Sequence, residues 1–254
     1  MKLSFTLLNL LQSLALLAVI YVNFLANSLP INGMTTGEIS AFYPNYFVPA
    51  GITFSIWGLI YILLLMYVFQ SWFLSPEKAP AIKTDRYIWF VVSSAGNAGW
   101  IFAWHYRLEW LSMALMLLLL YSLIRLYLVT RADRWALRVP VSIYLGWITV
   151  ATIANATALL VHLGFTGGFL SEPAWAILLM TIAVIISLLI RIRFVDPFYH
   201  GVVIWAILGI YLKYAGSSQP SASTMQWAAL ILTGVLLAGL LAPVFLKRSH
   251  SAVR

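Results

Sequence analysis

Two aromatic segments hold the residues of this sequence whose types and spacing point most directly to chemistry. In the first, Tyr144, Trp147, Ala151 and Asn155 follow one another at intervals of three or four residues. On an α-helix these intervals place all four side chains on one face. Two flat rings beside a small residue and an amide form a surface on which a flat apolar molecule can stack. We interpret this stripe as one wall of a ligand pocket.

The second segment is a proline-containing loop that leads into an apolar run. The loop spans residues 43–51 with the sequence Tyr-Pro-Asn-Tyr-Phe-Val-Pro-Ala-Gly, and Trp57 and Tyr61 follow it. Proline restricts the backbone of the loop, and the interval of four places both rings on one face of a helix. The sequence therefore predicts a second aromatic surface directly after the loop.

Four tryptophans lie deep within apolar runs, whereas most of the others lie near the ends of runs, where tryptophan is a typical interfacial anchor. A deep indole has an N–H group that needs a partner and a flat face that can stack. We therefore weigh the deep tryptophans as ligand contacts. They are Trp57, Trp100, Trp147 and Trp205.

Asn97 and Asn155 are the clearest polar residues within the middle apolar runs. An amide in such a position can hydrogen-bond one membrane helix to another. It can also form the polar corner of a cavity. The sequence leaves both roles open.

The composition determines the fold class. Hydrophobic residues make up 63% of the 254 residues, charged residues make up 9%, and the mean hydropathy is +0.94. Long apolar runs without alternation favour helices over barrel strands, because a helix satisfies its own backbone groups in lipid. The sequence predicts an all-α integral membrane protein, a helical bundle of about eight transmembrane helices.

The predicted spans are each long enough to cross roughly 30 Å of hydrocarbon, and the third and seventh are the weakest of them. The first resembles a signal peptide, but its length and the bulky Phe24 near its end favour a retained span. The approximate bounds are 4–26, 52–73, 87–105, 110–130, 140–163, 173–190, 198–215 and 225–246.

The distribution of Lys and Arg predicts the orientation of the chain. The loops 27–51, 164–172 and 216–224 contain neither residue type, whereas the loops expected on the opposite side contain most of them. Basic loops stay in the cytoplasm, so both termini are expected there. The short loops and this charge bias favour a bacterial inner membrane.

Several functional classes are disfavoured by the sequence. The net charge of +8 is dispersed over short loops, which predicts contact with the lipid bilayer and not with nucleic acid. The absence of cysteine excludes thiolate chemistry, and no pair of carboxylates lies within a span. The histidines lack the spacing of metal ligands. We predict no catalytic residue, no metal site and no required cofactor.

Together, these segments resemble the tryptophan-rich sensory protein family, also called the translocator protein or TspO/MBR family. A loop of the form Pro-x-Trp-x-Pro-Pro followed by Trp-x-x-x-Tyr matches Pro44 to Pro49 followed by Trp57 and Tyr61, without a gap. The motif Asn-x-x-Trp of the third span matches residues 97–100. The motif Pro-Tyr-x-x-Trp-x-x-x-Ala-x-x-x-Asn of the fifth span matches residues 143–155.

The resemblance covers roughly residues 5–163 and has three departures. Tyr46 replaces the loop tryptophan, Val48 replaces one loop proline, and Ile143 replaces the proline of the fifth span. A loop with fewer prolines is less rigid, which puts the ligand preference of the family in question for this chain.

The resemblance implies a five-helix core around a pocket that binds porphyrins or other flat apolar ligands. We place this ligand-binding core at residues 1–165 and a three-helix membrane extension at 166–254. The family resemblance and a smooth face of small residues in the last span make a second copy of the chain a candidate partner.

The leading hypothesis is a membrane sensor or receptor for a tetrapyrrole or a similar ligand, with Tyr46 and Pro49 as a lid over the pocket. Two alternatives are a transporter of small solutes or tetrapyrroles and an enzyme that degrades bound porphyrin in light. The predicted ligand-binding residues are Tyr46, Pro49, Trp57, Asn97, Trp100, Tyr144, Trp147, Ala151 and Asn155.

Overall fold

The computed structural model describes residues 4–28, 31–74, 84–131 and 133–251, and for 241–251 it describes the backbone alone. Within these ranges the chain forms helices and contains no strand. Two short 3₁₀ turns lie between the first and third α-helices. Ile31–Gly33 precedes the second α-helix, and Gly51–Ser55 leads directly into the third. The α-helices are α1 (Phe5–Ser28), α2 (Thr36–Ser40), α3 (Ile56–Trp72), α4 (Thr84–His105), α5 (Glu109–Thr130), α6 (Trp135–His162), α7 (Glu172–Phe194), α8 (Pro197–Tyr214) and α9 (Ala222–Ser251).

The prediction of an all-α membrane bundle is confirmed. Each of the predicted spans forms a long helix, and 6 helices of the described residues are long and apolar enough to cross a membrane. The third and seventh predicted spans form α4 and α8, which are not among those 6. The buried residues of α4 include Arg, Ser, Asn and His, which lower its hydropathy.

The chain forms two compact units. The first consists of residues 1–44 and 56–148, and the second consists of residues 45–55 and 149–254. Helix α6 contributes its first part to one unit and its second part to the other. The predicted division at residue 165 is a functional one, between a ligand-binding core and an extension. The two compact units do not test it, and it stays a prediction.

In the first unit, α4 packs against α1 and α5, and α1 also packs against α3. Leu16, Ile60, Leu64, Leu119 and Leu123 are among the fully or almost fully buried side chains. Large apolar side chains on the opposite faces of these helices are exposed, as expected where the solvent is lipid.

In the second unit, the segment 45–55 lies along α8. The backbone N–H of Ala50 donates to the carbonyl of Gly209 at 2.9 Å, and the indole N–H of Trp205 donates to the carbonyl of Thr53 at 2.9 Å. The ammonium of Lys213 donates to the carbonyl of Asn45 at 3.3 Å. These bonds attach the segment to α8 at three positions that lie about one turn apart along the helix.

Candidate ligand-binding site

Trp57 is the centre of an aromatic cluster in the first unit. Its ring stacks on Tyr61, with centroids 5.7 Å apart and an angle of 19° between the planes. The rings of Tyr144 and Trp147 meet it edge to face, with centroids at 6.0 and 6.2 Å. The structure therefore brings one pair of rings from each of the two aromatic segments into contact.

Helical spacing and burial account for the local geometry of this cluster. Trp57 and Tyr61 are one turn apart on α3, and Tyr144 and Trp147 are one turn apart on α6. Trp147 and Tyr144 are each 3% exposed, whereas Trp57 and Tyr61 are half-buried. The α3 side of the cluster is thus the side that a ligand can reach.

A chain of hydrogen bonds supports the cluster from behind. The Asn97 amide, which is fully buried, donates to the Tyr144 hydroxyl at 2.8 Å. Its carbonyl oxygen accepts from the amide of Asn23 at 2.7 Å, and Asn23 also donates to the carbonyl of Val19 at 2.9 Å. These bonds connect α1, α4 and α6, so Asn97 fixes the position of a ring in the cluster.

Trp100 lies elsewhere in the first unit. It is 7% exposed and stacks on Trp104, with centroids 5.9 Å apart. Trp104 in turn contacts the ring of Tyr43 at 5.4 Å and donates its indole N–H to the carbonyl of Thr36. The predicted role of Trp100 in ligand binding stays a prediction.

Tyr46 and Pro49 belong to the second unit. Tyr46 stacks on Tyr214, with centroids 5.9 Å apart, and its hydroxyl donates to the carbonyl of Pro220 at 3.2 Å. The Tyr214 hydroxyl donates back to the carbonyl of Tyr46 at 3.2 Å. Pro49 is buried. Within this unit the ring of Tyr46 is held by the end of α8 and the turn after it.

Ala151 and Asn155 lie on the part of α6 that belongs to the second unit. Ala151 is half-buried, and Asn155 is 3% exposed. The helical stripe predicted from Tyr144 to Asn155 is present, because one helix contains all four of its residues. The part that these two residues play in ligand binding is not tested by the geometry.

Sequence reasoning missed one residue of the site and undervalued another. Asn23 is a second amide within the first span, and it lies on the buried face of α1 with Leu16 and Val19. That placement is the signal that could have identified it. Tyr61 is present in the loop motif, but its stacking on Trp57 makes it part of the cluster.

Glu109 shapes the electrostatics near one loop end of the first unit. The Tyr43 hydroxyl donates to the carboxylate of Glu109 at 2.6 Å. Burial raises the pKa of the Tyr43 phenol above its ordinary value, and the hydrogen bond to Glu109 raises it further. Tyr43 therefore stays a neutral donor. In the parts of the chain that are described, no group of three or more His, Cys, Asp and Glu is placed to hold a metal ion.

Comparison with known proteins agrees with the motifs. The model of the family described as TSPO-like protein matches residues 9–242. A search of curated proteins and a search of solved structures gave no match. The family match continues past residue 163 and includes α7, α8 and most of α9, so it covers both compact units. The chain therefore belongs to the TSPO-like protein family, and this membership indicates a membrane sensor or ligand-binding protein.

Proposed function

We propose that this protein is a membrane-embedded sensor that binds a tetrapyrrole, such as a porphyrin, or another flat apolar ligand. The observation that carries the proposal is the cluster of Trp57, Tyr61, Tyr144 and Trp147 in the first unit. A flat ligand can replace a ring–ring contact in this cluster with a stack of larger area. Such contacts contribute about 0.5–1.5 kcal/mol each beyond the area that they bury.

The polar groups beside the cluster give the proposed site its orientation. Apolar binding sites generally contain a few fixed polar groups that select one pose of the ligand. The Tyr144 hydroxyl is held by the Asn97 amide, so it stays in one place while a ligand binds. In this proposal the rings supply affinity, and the bond from Asn97 fixes the orientation of the Tyr144 ring on which the ligand packs.

The remaining predicted contacts and the topology are part of the same proposal. The roles of Tyr46 and Pro49 as a lid, of Ala151 in leaving room for a ring and of Asn155 as a second amide stay predictions from the sequence motifs. Both termini lie in the cytoplasm of a bacterial cell, since the loops rich in Lys and Arg then lie on that side.

Tryptophan fluorescence tests the proposal directly. The full chain is purified in detergent and titrated with protoporphyrin IX, with correction for absorption by the porphyrin. Trp57→Phe and Trp147→Phe are compared with Trp110→Phe, which changes a tryptophan that is 64% exposed at the start of α5. We expect saturable quenching whose dissociation constant rises roughly two- to tenfold in the two cluster variants.

The control defines the result that would overturn the proposal. Trp110→Phe is expected to bind the porphyrin as the unchanged protein does. Quenching that does not saturate, or that has the same dissociation constant in all the proteins, would show that the cluster does not bind the porphyrin.

A further inference from the structure

The buried face of α4 contains polar residues along its length, among apolar ones. The helix has 22 residues, which corresponds to about 33 Å, the thickness of the hydrocarbon core. Polar side chains buried inside a membrane bundle are costly unless each of them has a partner. The buried polar residues of α4 are Arg86, Tyr87, Ser93, Ser94, Asn97 and His105.

Several buried groups near the start of α4 lack such a partner. Gln12 is fully buried on α1, three residues after Asn9, and neither its amide nitrogen nor its oxygen is hydrogen-bonded within the described chain. The same holds for the hydroxyls of Tyr67 and Tyr87 and for Nε of Arg86. Tyr67 is fully buried, and Tyr87 is 1% exposed. Among the described residues these groups have no hydrogen-bond partner, so an ordered water beside them would stabilise the bundle.

The unpartnered groups lie close together. The Tyr67 hydroxyl lies within electrostatic range of Arg86, Asp133 and Tyr87. The side chain of Asn9 lies near the Tyr87 hydroxyl, although the two do not reach hydrogen-bonding geometry. Polar groups from α1, α3 and α4 therefore lie near one another at this end of the first unit. We call these residues, with Gln12, the basal cluster.

A cavity lies further along the same helices. Its volume is about 10 Å³, and Ser93, Ser94 and Tyr144 are among the residues that line it. This volume is about what one water molecule needs. The Tyr144 hydroxyl accepts from Asn97 at 2.8 Å, which leaves its own proton available to a second partner. The cavity thus has the size that one water molecule needs, and Ser93, Ser94 and Tyr144 are the polar residues of a mostly apolar lining.

The basal cluster and the cavity are neighbours. On α1, Leu16 of the cavity lies one turn after Gln12, and on α3, Leu64 of the cavity lies one turn from Tyr67. Phe90 lines the cavity and also stacks on the ring of Tyr67, with centroids 5.3 Å apart. The Phe90 ring therefore contacts both positions, which lie about one helical turn apart along α1 and α3.

We propose that the first unit binds a short file of ordered water, which begins at the Arg86–Asp133 ion pair and ends at the Tyr144 hydroxyl. The Asp133 side chain is 28% exposed and that of Arg86 is 6% exposed, so the pair stands between solvent and the interior. Water in the basal cluster satisfies Gln12, Tyr67 and Tyr87, and one water in the cavity bonds Tyr144. The file supplies water to the back of the aromatic cluster.

Hydroxyl-radical footprinting tests the file. The full chain in detergent is irradiated with X-rays in water enriched in oxygen-18, and modification of individual tyrosines is measured by mass spectrometry. Bound water releases radicals beside the ring that it touches, whereas a dry buried ring reacts slowly. The control is Tyr199, which is 2% exposed and whose hydroxyl donates to Thr149 at 2.9 Å.

We expect Tyr67, Tyr87 and Tyr144 to incorporate oxygen-18 severalfold faster than Tyr199. Equal, slow incorporation at all four tyrosines would overturn the proposal.

A substitution gives a second, independent readout. If the basal cluster is hydrated, Gln12→Leu removes hydrogen bonds to water, and we expect both slower labelling of Tyr67 and Tyr87 and a lower unfolding temperature. If it is dry, Gln12→Leu removes an unpaired amide, so a higher unfolding temperature with unchanged labelling would contradict the file. Ser122→Ala is the control, because this buried hydroxyl already donates to the carbonyl of Leu119.

Discussion

Gly209 on α8 lies so close to Thr53 that no side chain fits between them. A Cβ at position 209 would lie 2.6 Å from Cγ2 of Thr53 and 2.9 Å from its Cβ. The close approach allows the backbone bond from Ala50 to the Gly209 carbonyl. The absence of a side chain at position 209 therefore allows the segment 45–55 to pack closely on α8 within the second unit.

Gly209→Ala should weaken the packing of the segment 45–55 on α8. Because Thr53 is 1% exposed and cannot move aside freely, we expect the overlap to cost about 1–3 kcal/mol of unfolding free energy. Gly201→Ala on the same helix is the matched control, since a Cβ there meets nothing within 4 Å. Thermal unfolding in detergent should show a lower midpoint for Gly209→Ala and an unchanged or higher one for Gly201→Ala. Equal midpoints would contradict this account.

The amides of Asn23 and Asn97 should be energetically coupled. They share a buried hydrogen bond of 2.7 Å, and bonds of this kind between membrane helices contribute about 0.6–1.7 kcal/mol. A double-mutant cycle with Asn23→Ala and Asn97→Ala measures the coupling in unfolding free energy. Asn27→Ala combined with Asn97→Ala is the control, because Asn27 is exposed and donates to the carbonyl of Asn23. Coupling no larger than in this control would show that the observed bond contributes nothing.

The aromatic cluster could be predicted from the sequence because its spacing is local. Trp57 and Tyr61 lie one turn apart on one helix, as do Tyr144 and Trp147 on another, and the family motif links the two pairs. Burial of large rings then favours their contact, which the structure confirms at 6.2 Å between Trp57 and Trp147. Local periodicity and apolar burial were sufficient here.

The surroundings of Tyr46 could not be predicted in the same way. Its partners are Tyr214 and the carbonyl of Pro220, which lie more than 160 residues later in the chain. No periodic pattern connects a loop to such distant residues. The family resemblance, which ended near residue 163, did not include them either. The stacking of Trp100 on Trp104 is local, because the two lie one turn apart on α4, whereas the contact of Trp104 with Tyr43 depends on tertiary packing.

Glu38 should titrate below its ordinary range. It closes a capping box at the start of α2, where the backbone N–H of Thr35 donates to its carboxylate at 2.7 Å and the Thr35 hydroxyl donates at 2.9 Å. These bonds, the backbone bond foremost, lower the pKa of Glu38. The stabilisation from this group is therefore present above the unfolded-state pKa and is lost as the pH falls through the lowered folded-state pKa.

Thr35→Val tests the contribution of the hydroxyl to this pKa. We expect the pKa of Glu38, measured by carbon-13 NMR of its carboxyl, to rise only part of the way to its ordinary value, because the backbone donor remains. Thr36→Val is the control, since the Thr36 hydroxyl bonds to His105 and not to Glu38. An unchanged pKa in Thr35→Val would mean that the hydroxyl bond does not persist in solution.

His200 should hold the three last helices together through both nitrogens of its ring. It is fully buried on α8, with Nε2 at 2.8 Å from the carbonyl of Leu236 on α9 and Nδ1 at 2.7 Å from the hydroxyl of Ser187 on α7. A carbonyl can only accept, so Nε2 carries the proton and Nδ1 accepts from Ser187 when the ring has a single proton. Nitrogen-15 NMR of the imidazole should report this tautomer.

Removal of the His200 imidazole should leave the Ser187 hydroxyl and the Leu236 carbonyl without these hydrogen bonds. We expect His200→Leu to lower the unfolding free energy by about 1–3 kcal/mol, since Ser187 and the carbonyl of Leu236 each lose a bond inside the unit. His162→Leu at the exposed end of α6 is the matched control and should change stability by less than about 0.5 kcal/mol. Because Ser187 can partly recover by bonding to its own helix, His200→Leu should cost more than Ser187→Ala. The reverse order would show that Ser187, and not His200, holds the helices together.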